Sequence, residues 1–367
     1  MGKHLNRLKE VCLEITDVCP MNCMHCSGAC GPNSRNMLFI DQIKRILDQL
    51  SSLGGEILEV SGGEPLMHPR LTQIIKYAEE SNLETVLYTS GNVLDSQGKI
   101  ASLGTAVAEK LRRSSLQRIV FNLQGAFPRT HETITRVEGS FDNAVKAIRI
   151  VKSLGFWVGV HFVPMKPNFK EFKSLLQLCH KLEVDEIGIL RFVPQGRGQI
   201  NRVLLELSTE EFKEFNMALS RSTFEYGNIN IRVGRPIDFR NLFDSSFVKP
   251  LCDAGISRCT ITPSGAVVPC PAFKQESRYV AGNLSKDSLV DIWNESSVWQ
   301  QFRYFDITRL GEPCRGCQHL QQCRGGCSAQ RILKYKDLYA APDPSCFKCA
   351  ISAAATCSSN IEVRQRL

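Results

Sequence analysis

No run of the 367-residue chain approaches the length of a membrane span, and the opening MGKHLNRLKEVCLEI has no apolar core long enough for an export signal. The Met-Gly start lacks the hydroxyl side chain of a myristoylation signal, because Asn6 stands at that position. There is no basic tract and no interleaving of aromatic with basic residues, so the formal net charge of +8 does not point to a nucleic-acid partner. Internal repeats and low-complexity segments are missing as well. These absences predict a cytoplasmic globular protein with no membrane and no nucleic-acid partner. Hydrophobic and charged contents of 43% and 22% are ordinary for that class. Cysteine is not ordinary: there are sixteen. Without an export signal they read as metal ligands in a reducing compartment rather than as disulfides.

Three of them, Cys19, Cys23 and Cys26 in LEITDVCPMNCMHC, follow an apolar stretch with the spacing CxxxCxxC. Three thiolates can hold three irons of a 4Fe–4S cube and leave the fourth iron open to a ligand, whereas a purely electron-carrying cube takes four cysteines. Zinc is the alternative, since Cys23 and Cys26 form a CxxC pair and zinc takes four such ligands. The next segment, EILEVSGGEPLMHP, is an apolar run that breaks into Gly62-Gly63-Glu64-Pro65. Two glycines let backbone approach a small ligand, and a neighbouring carboxylate suits a ligand ammonium group.

Together these residues resemble the radical S-adenosylmethionine (SAM) enzymes. The resemblance assigns Cys19, Cys23 and Cys26 to the cluster and Gly62, Gly63, Glu64 and Pro65 to the SAM amino group. His25 stands where the family usually has an aromatic residue. By the same resemblance the open iron chelates the methionine end of SAM, and an electron from the cluster splits the sulfonium to give a 5′-deoxyadenosyl radical.

The first half alternates strands, near 11–17, 56–61, 84–90, 117–124, 156–164 and 186–193, with helical patterns. Ile43, Ile46, Leu47, Leu50 and Leu53 recur at helical spacing up to Gly54-Gly55. A second helix runs from Ser140, with Ala144, Val145, Ile148 and Val151 on one face, to Gly155. Repeated βα units require a mainly parallel sheet with right-handed crossovers. The resemblance implies an α/β fold, a partial (β/α)6 TIM-like barrel; a flat doubly wound sheet competes on periodicity alone. In such folds chemistry gathers at the strands' carboxyl ends. Polar residues interrupting the strands there are Glu14, Glu59, Ser90, Asn122, Gln124, His161 and Arg191. Ser90 is taken as a cofactor residue, and His161 and Arg191 as catalytic candidates, His161 as a general base from strand parity. FNLQGAFPRTHE resembles the family segment that contacts the SAM ribose, which brings in Asn122 and, after it, Arg136. LRFVPQGRG also resembles these enzymes but leaves Arg197 without a role. Ser208-x-x-Glu211 is a capping box opening a helix with Phe212, Phe215 and Leu219.

Beyond Pro250 come Cys252, Cys259 and Cys270, the last preceded by Gly265 as GxxxxC. Then CRGCQHLQQCRGGC supplies Cys314, Cys317, Cys323 and Cys327, and Cys346 follows. These eight suffice for two fully ligated 4Fe–4S clusters or, alternatively, two zinc knots. The order resembles the SPASM extension of radical SAM peptide and protein maturases. That resemblance implies an inner cluster on Cys252, Cys259, Cys270 and Cys327 and an outer one on Cys314, Cys317, Cys323 and Cys346. Cys349 forms a CxxC pair with Cys346 and is the alternative last ligand. Cys12, Cys179 and Cys357 read as buried thiols; Cys30 lies near ligand cysteines. The expected division is a radical SAM core over 1–205, a bridge over 206–248 and a loop-rich SPASM domain with tail over 249–367.

The resulting expectation is a SAM-dependent enzyme with three 4Fe–4S clusters that takes hydrogen from a peptide or protein side chain, an auxiliary cluster accepting an electron. A flavodoxin or ferredoxin would be the donor. Two departures from the family qualify it. Pro271 stands where sulfatase-maturing members carry an aspartate, which argues against formylglycine formation. Only eighteen residues precede Cys19, so either a leader-binding protein is expected to be separate or the substrate needs no leader. The rivals are a small-molecule alcohol or sugar oxidoreductase of the same superfamily and a non-catalytic zinc-binding scaffold.

Overall fold

The computed structural model describes residues 7–225, 229–234 and 252–347. Elements run in the order β1 (Glu10–Thr16), α1 (Ile40–Ser52), β2 (Ile57–Gly62), α2 (Leu71–Glu80), β3 (Glu84–Thr89), β4 (Asn92–Leu94), β5 (Ile100–Ser102), α3 (Thr105–Arg113) and β6 (Arg118–Asn122). Next come α4 (Pro128–Thr135), α5 (Ser140–Ser153), β7 (Trp157–Phe162), α6 (Phe172–Lys181), β8 (Glu186–Ile189), α7 (Arg197–Ile200), α8 (Arg202–Leu205), α9 (Thr209–Glu225) and β9 (Asn230–Val233). The remainder is β10 (Arg258–Ile261), β11 (Ala266–Val268), β12 (Gly282–Asn283), α10 (Leu289–Glu295), α11 (Ser297–Arg303), α12 (Leu320–Cys323) and α13 (Ser328–Tyr335).

The described residues fall into two compact units. The first comprises those within Met1–Leu205, Glu225–Val233 and Asp253–Phe305, and the second those within Glu206–Phe224, Gly234–Cys252 and Asp306–Leu367. In the first unit one sheet runs β12-β11-β10-β1-β2-β3-β6-β7-β8-β9, with β12 and β9 as its edges. Every pairing from β10 across to β9 is parallel, and β10-β11-β12 is antiparallel. This is the open α/β barrel expected from the six strand–helix units, enlarged at both edges. The short strands β9 to β12 and the β4–β5 hairpin were not expected. β10 zips onto β1, Glu10 opposite Arg258 and Leu13 opposite Ile261. Residues 253–305 therefore pack as part of the first unit, a grouping that differs from the expected division at 249.

The alternation along the strands explains the layers. Val11, Leu13 and Ile15 on β1, Leu58 and Val60 on β2, and Val158, Val160 and Phe162 on β7 are fully buried beneath the helices. Each such side chain contributes about 2 kcal/mol of burial. α1 offers them Ile43, Ile46, Leu47 and Leu50, and α5 offers Ala144, Val145, Ile148 and Val151. Gly54 and Gly155, just past those helices, have φ of +82° and +76°, so the expected stops are left-handed caps. The other strand face looks inward: Glu10 and Glu14, Glu59, Tyr88, Asn122, His161, Glu186, Arg232 and Arg258 share it by register. Cys179 on α6 and Cys12 on β1 are buried thiols, as expected; Cys349 and Cys357 lie outside the described residues.

In the second unit α9 opens with the expected capping box. Ser208 N–H donates to Glu211 Oε2 at 2.8 Å, and Glu211 N–H donates back to Ser208 Oγ at 3.1 Å. Arg331 on α13 is fully buried and donates to Leu338 O from Nε (3.1 Å) and Nη2 (3.0 Å) and to Gly325 O from Nη1. Asp343 Oδ2 accepts from Cys327 N–H at 2.7 Å. Among the described residues no helix is long and apolar enough to cross a membrane.

Candidate active site

The loop after β1 carries the first three cysteines and is pinned from several sides. Cys19 N–H donates to Gly31 O (3.2 Å), and Met24 N–H donates to Ile134 O (2.8 Å) at the end of α4. The largest restraint comes from Arg197, a residue without a role in the sequence reading. Its Nε donates to Cys23 O at 2.8 Å, its Nη2 to Cys30 O at 2.6 Å, and its backbone N–H to Cys26 O at 3.0 Å. Asn201 adds a bond from Nδ2 to Met24 O at 3.1 Å, and Arg136 Nη2 donates to Asn201 Oδ1 at 3.2 Å. Arg136 caps α4 and does not line the cavity below. It braces the residue that braces the loop.

Cys19, Cys23 and Cys26 line one cavity of about 320 Å³. The same wall includes Gly62, Gly63, Ser90, Asn122, His161 and Arg191 from the expected set, together with Glu14, Cys30, Arg197 and Lys274. Glu64 and Pro65 are buried behind it. Glu64 Oε1 accepts from Thr89 Oγ1 (2.6 Å) and Leu66 N–H (3.2 Å), while Oε2 accepts from Ser90 Oγ (2.6 Å) and Ser90 N–H (2.8 Å). Four donors occupy the carboxylate, so it ties β2 to β3 instead of presenting itself to a ligand ammonium. Burial pushes its pKa up against those bonds. The glycines are also explained by the chain itself. A Cβ on Gly62, at φ +136°, would lie 2.3 Å from Thr16 O, and one on Gly63 would lie 2.4 Å from Val18 O. Gly63 N–H donates to Thr16 O at 2.6 Å and Glu64 N–H to Val18 O at 2.8 Å. The Gly-Gly turn thus seats β2 on the root of the cysteine loop.

Burial holds the Cys19 thiol well above its ordinary pKa and pushes Cys23 up to about 12. Cys26 is drawn down to about 6, first by a hydrogen bond from Cys30, with Arg197 and Lys274 also favouring its thiolate. Buried thiols that resist ionising alone are suited to a polycationic core, which deprotonates its ligands. Among the described residues no three Cys, His, Asp or Glu groups already stand at the mutual distances of a bound ion. The fit lies in the donor set and in its shared cavity.

His161 reaches the cavity but not as a free base. Arg232 Nη2 donates to its Nε2 at 3.3 Å, and Tyr88 packs against the ring at 5.0 Å. Burial first, then Arg232 and Arg258, lower its pKa to about 3. A neutral ring whose Nε2 accepts carries its proton on Nδ1. At neutral pH the ring is therefore neutral, with its acceptor nitrogen engaged by Arg232. Gly188 makes the contact possible, because a Cβ there would lie 2.6 Å from His161 Cδ2. Deeper in the barrel Arg258 bridges Glu10 at 2.8 Å and Glu59 at 2.5 Å, and Tyr88 donates to Glu59 at 2.7 Å. Gln124 bonds Asn122 Oδ1 and accepts from Val163 N–H at 3.0 Å, joining strand exits.

A family model described as the radical SAM superfamily matches residues 13–179, and one described as an iron–sulfur cluster-binding domain, SPASM, matches residues 252–318. The chain is a radical SAM enzyme with a SPASM domain. This radical SAM enzyme is 26% identical over 355 residues to the AdoMet-dependent heme synthase of Methanosarcina barkeri, covering 93% of this chain and 97% of that one. It is 26% identical over 336 residues to the PqqA peptide cyclase of Granulibacter bethesdensis, covering 91% and 85%. Its fold matches that of Streptococcus suis SuiB bound to precursor peptide SuiA, with a TM-score of 0.75 at 18% identity, covering 93% of this chain and 76% of that one. Membership brings a 4Fe–4S cluster with SAM and auxiliary iron–sulfur clusters, and it sets aside the zinc-scaffold reading.

The cysteines expected to hold auxiliary clusters in this radical SAM enzyme occur in each of the two units. Cys259 is fully buried on β10, and Cys270 caps the turn after β11. In the second unit Cys314 is buried, and its thiol is pushed up to about 11, first by burial and then by Cys323, Cys346 and Cys317 beside it. Those four are the set expected for the outer cluster. Cys327 is half-buried at the start of α13, and Cys252 is exposed.

Proposed function

We propose that this enzyme matures a peptide or protein by hydrogen abstraction from a side chain, giving a crosslinked, dehydrogenated or oxidised residue. The observation that carries the reading is one cavity walled on one side by the loop thiols and on the other by the polar inner face of the sheet. When bound, SAM and its cluster supply a 5′-deoxyadenosyl radical able to take hydrogen from unactivated carbon. The peptide class is supported by relatives that are a PqqA peptide cyclase and a mycofactocin maturase, and by the likeness to peptide-bound SuiB.

The chain's residues take these parts. Cys19, Cys23 and Cys26 hold the SAM-binding cluster. Backbone at Gly62 and Gly63, with Ser90 and Asn122, forms the SAM wall, and Glu64 and Pro65 hold that wall in place from behind. Arg136 and Asn201 brace the loop. Arg191 faces the cavity as a substrate-side cation. Cys252, Cys259, Cys270 and Cys327 ligate the inner auxiliary cluster, and Cys314, Cys317, Cys323 and Cys346 the outer one. Full ligation of both suits them to receiving an electron. By function the chain divides into a core over 1–205, a bridge over 206–248 and an auxiliary-cluster part over 249–367, of which residues 253–305 pack with the first unit. A flavodoxin or ferredoxin supplies electrons in a cytoplasmic setting, and the peptide either comes with a separate leader-binding protein or needs no leader.

The test is anaerobic incubation of reconstituted enzyme with SAM, reductant and candidate precursor peptides, read by mass spectrometry. A SAM-dependent loss of two hydrogens from a peptide supports the proposal. A second reading, a small-molecule oxidation, is favoured by the equal identity to the heme synthase. Conversion of a tetrapyrrole, alcohol or sugar with no peptide product selects it.

A further inference from the structure

One ion pair on the cavity wall takes no part in the proposed hydrogen abstraction. Lys274 Nζ stands 2.7 Å from Glu14 Oε1, and the two side chains are only 10% and 7% exposed. Lys274 comes from the segment directly after Cys270, and Glu14 from β1 at the root of the thiol loop. The ammonium reaches the loop itself. A Cβ placed on Gly28 would lie 3.0 Å from Cys30 Sγ and 3.2 Å from Lys274 Nζ, so the missing side chain at Gly28 is the space in which they meet. Burial opposes the lysine's charge, but Glu14 outweighs it and holds the pKa above the ordinary lysine value. Other charged groups near the thiols include Arg197, which grips the Cys23 and Cys30 carbonyls, Glu64, which is tied to Thr89 and Ser90, and Arg191 on the same cavity wall.

We propose that the Lys274–Glu14 pair tunes the charge balance of the cluster on Cys19, Cys23 and Cys26, the ammonium favouring its reduced state and the carboxylate tempering that effect. The inference rests on those thiols being the cluster ligands. A cube with three thiolates carries a net charge of roughly −1, and roughly −2 after it gains one electron from its donor. In a buried wall of lowered effective dielectric, a neighbouring cation stabilises the more negative state and an anion destabilises it. Lys274 and Glu14 are thus positioning residues acting through the cluster.

The two substitutions separate tuning from mere bracing, because both break the same contact while removing opposite charges. In iron-loaded enzyme, the cluster signal of the Cys19 loop is identified as the one lost in Cys23→Ala and is followed by EPR-monitored redox titration. Lys274→Met is expected to move its midpoint to a more negative potential, Glu14→Gln to a more positive one, and Lys274→Arg to leave it near wild type. Shifts of the same sign in Lys274→Met and Glu14→Gln, no shift in either, or failure of both to load iron at the loop would overturn the inference. If Lys274→Met alone fails to load, Glu14→Gln decides: an unmoved midpoint sinks the proposal. A wild-type enzyme whose signals all survive Cys23→Ala would instead remove the ligand reading on which this rests.

Discussion

Arg197 grips the loop of Cys23 from behind, its Nε donating to the Cys23 carbonyl at 2.8 Å while its Nη2 holds Cys30 O at 2.6 Å. The bond joins the short helix α7 to the exit of β1. It fixes the backbone from which the thiols project and leaves a cation beside them. Replacing Arg197 with Lys keeps the charge but loses the fork geometry. One charge-assisted bond is worth about 2 kcal/mol, so cluster affinity is expected to fall roughly thirtyfold, and further in Arg197→Ala. Iron per chain under competing chelator measures this. Unchanged retention in Arg197→Ala would show that the clamp is dispensable.

The Gly-Gly turn gives a second expectation. Gly63→Ala would place a methyl 2.4 Å from Val18 O, and backbone on that side cannot rotate away. Overpacking there costs about 3 kcal/mol. A drop in Tm should accompany loss of iron at the loop. Full stability of the variant would mean that β2 does not seat on the loop as described.

Glu10 and Glu59 share the single guanidinium of Arg258, at 2.8 and 2.5 Å. Burial is the largest cause raising Glu10 to about 7. An unfolded glutamate titrates near about 4.3, so between those values the folded chain holds the extra proton. This contribution to stability is present at acid pH and is lost as pH rises through about 7. In Glu10→Gln the fall in unfolding free energy between pH 5 and 8 should flatten. Denaturant titrations across that range test it, and an equal slope in both proteins would refute it.

His161 yields a negative expectation. With its pKa lowered to about 3 by burial, Arg232 and Arg258, the imidazole does not ionise between pH 6 and 8. The pH profile of 5′-deoxyadenosine formation should keep its shape in His161→Gln. A limb near pH 6.5 that vanishes with the substitution would restore the imidazole as a proton acceptor.

What the sequence disclosed is what is local and chemically specific. The CxxxCxxC and CxxCxxxxxCxxxC spacings, the helical stripes of α1 and α5 with their glycine stops, and the Ser208 capping box can each be read within a short window. Roles created by distant approach could not. Arg197 lies far along the chain from Cys23, and nothing near it announces three carbonyls to hold. Gly62 and Gly63 announced a close approach, but the sequence could not say that Thr16 and Val18 are what approaches. The partners of Glu64, Thr89 and Ser90, arrive from the end of the next strand, so no local signal shows that its carboxylate is engaged. Arg232, which occupies His161, sits on β9, too short a strand to stand out by periodicity. Arg258 and Lys274 enter the barrel because β10 pairs with β1, a non-local pairing that left no local signal.

The Cys19, Cys23 and Cys26 thiols face one cavity, and their proposed role is to hold a cluster that works on SAM. The most direct measurement is 5′-deoxyadenosine released from SAM by anaerobically reconstituted, dithionite-reduced enzyme, wild type against Cys23→Ala. The structure predicts release by the wild type and none above background from the variant, with iron lowered by about one cluster's worth. Equal release by both proteins, or none from fully iron-loaded wild type, would contradict it.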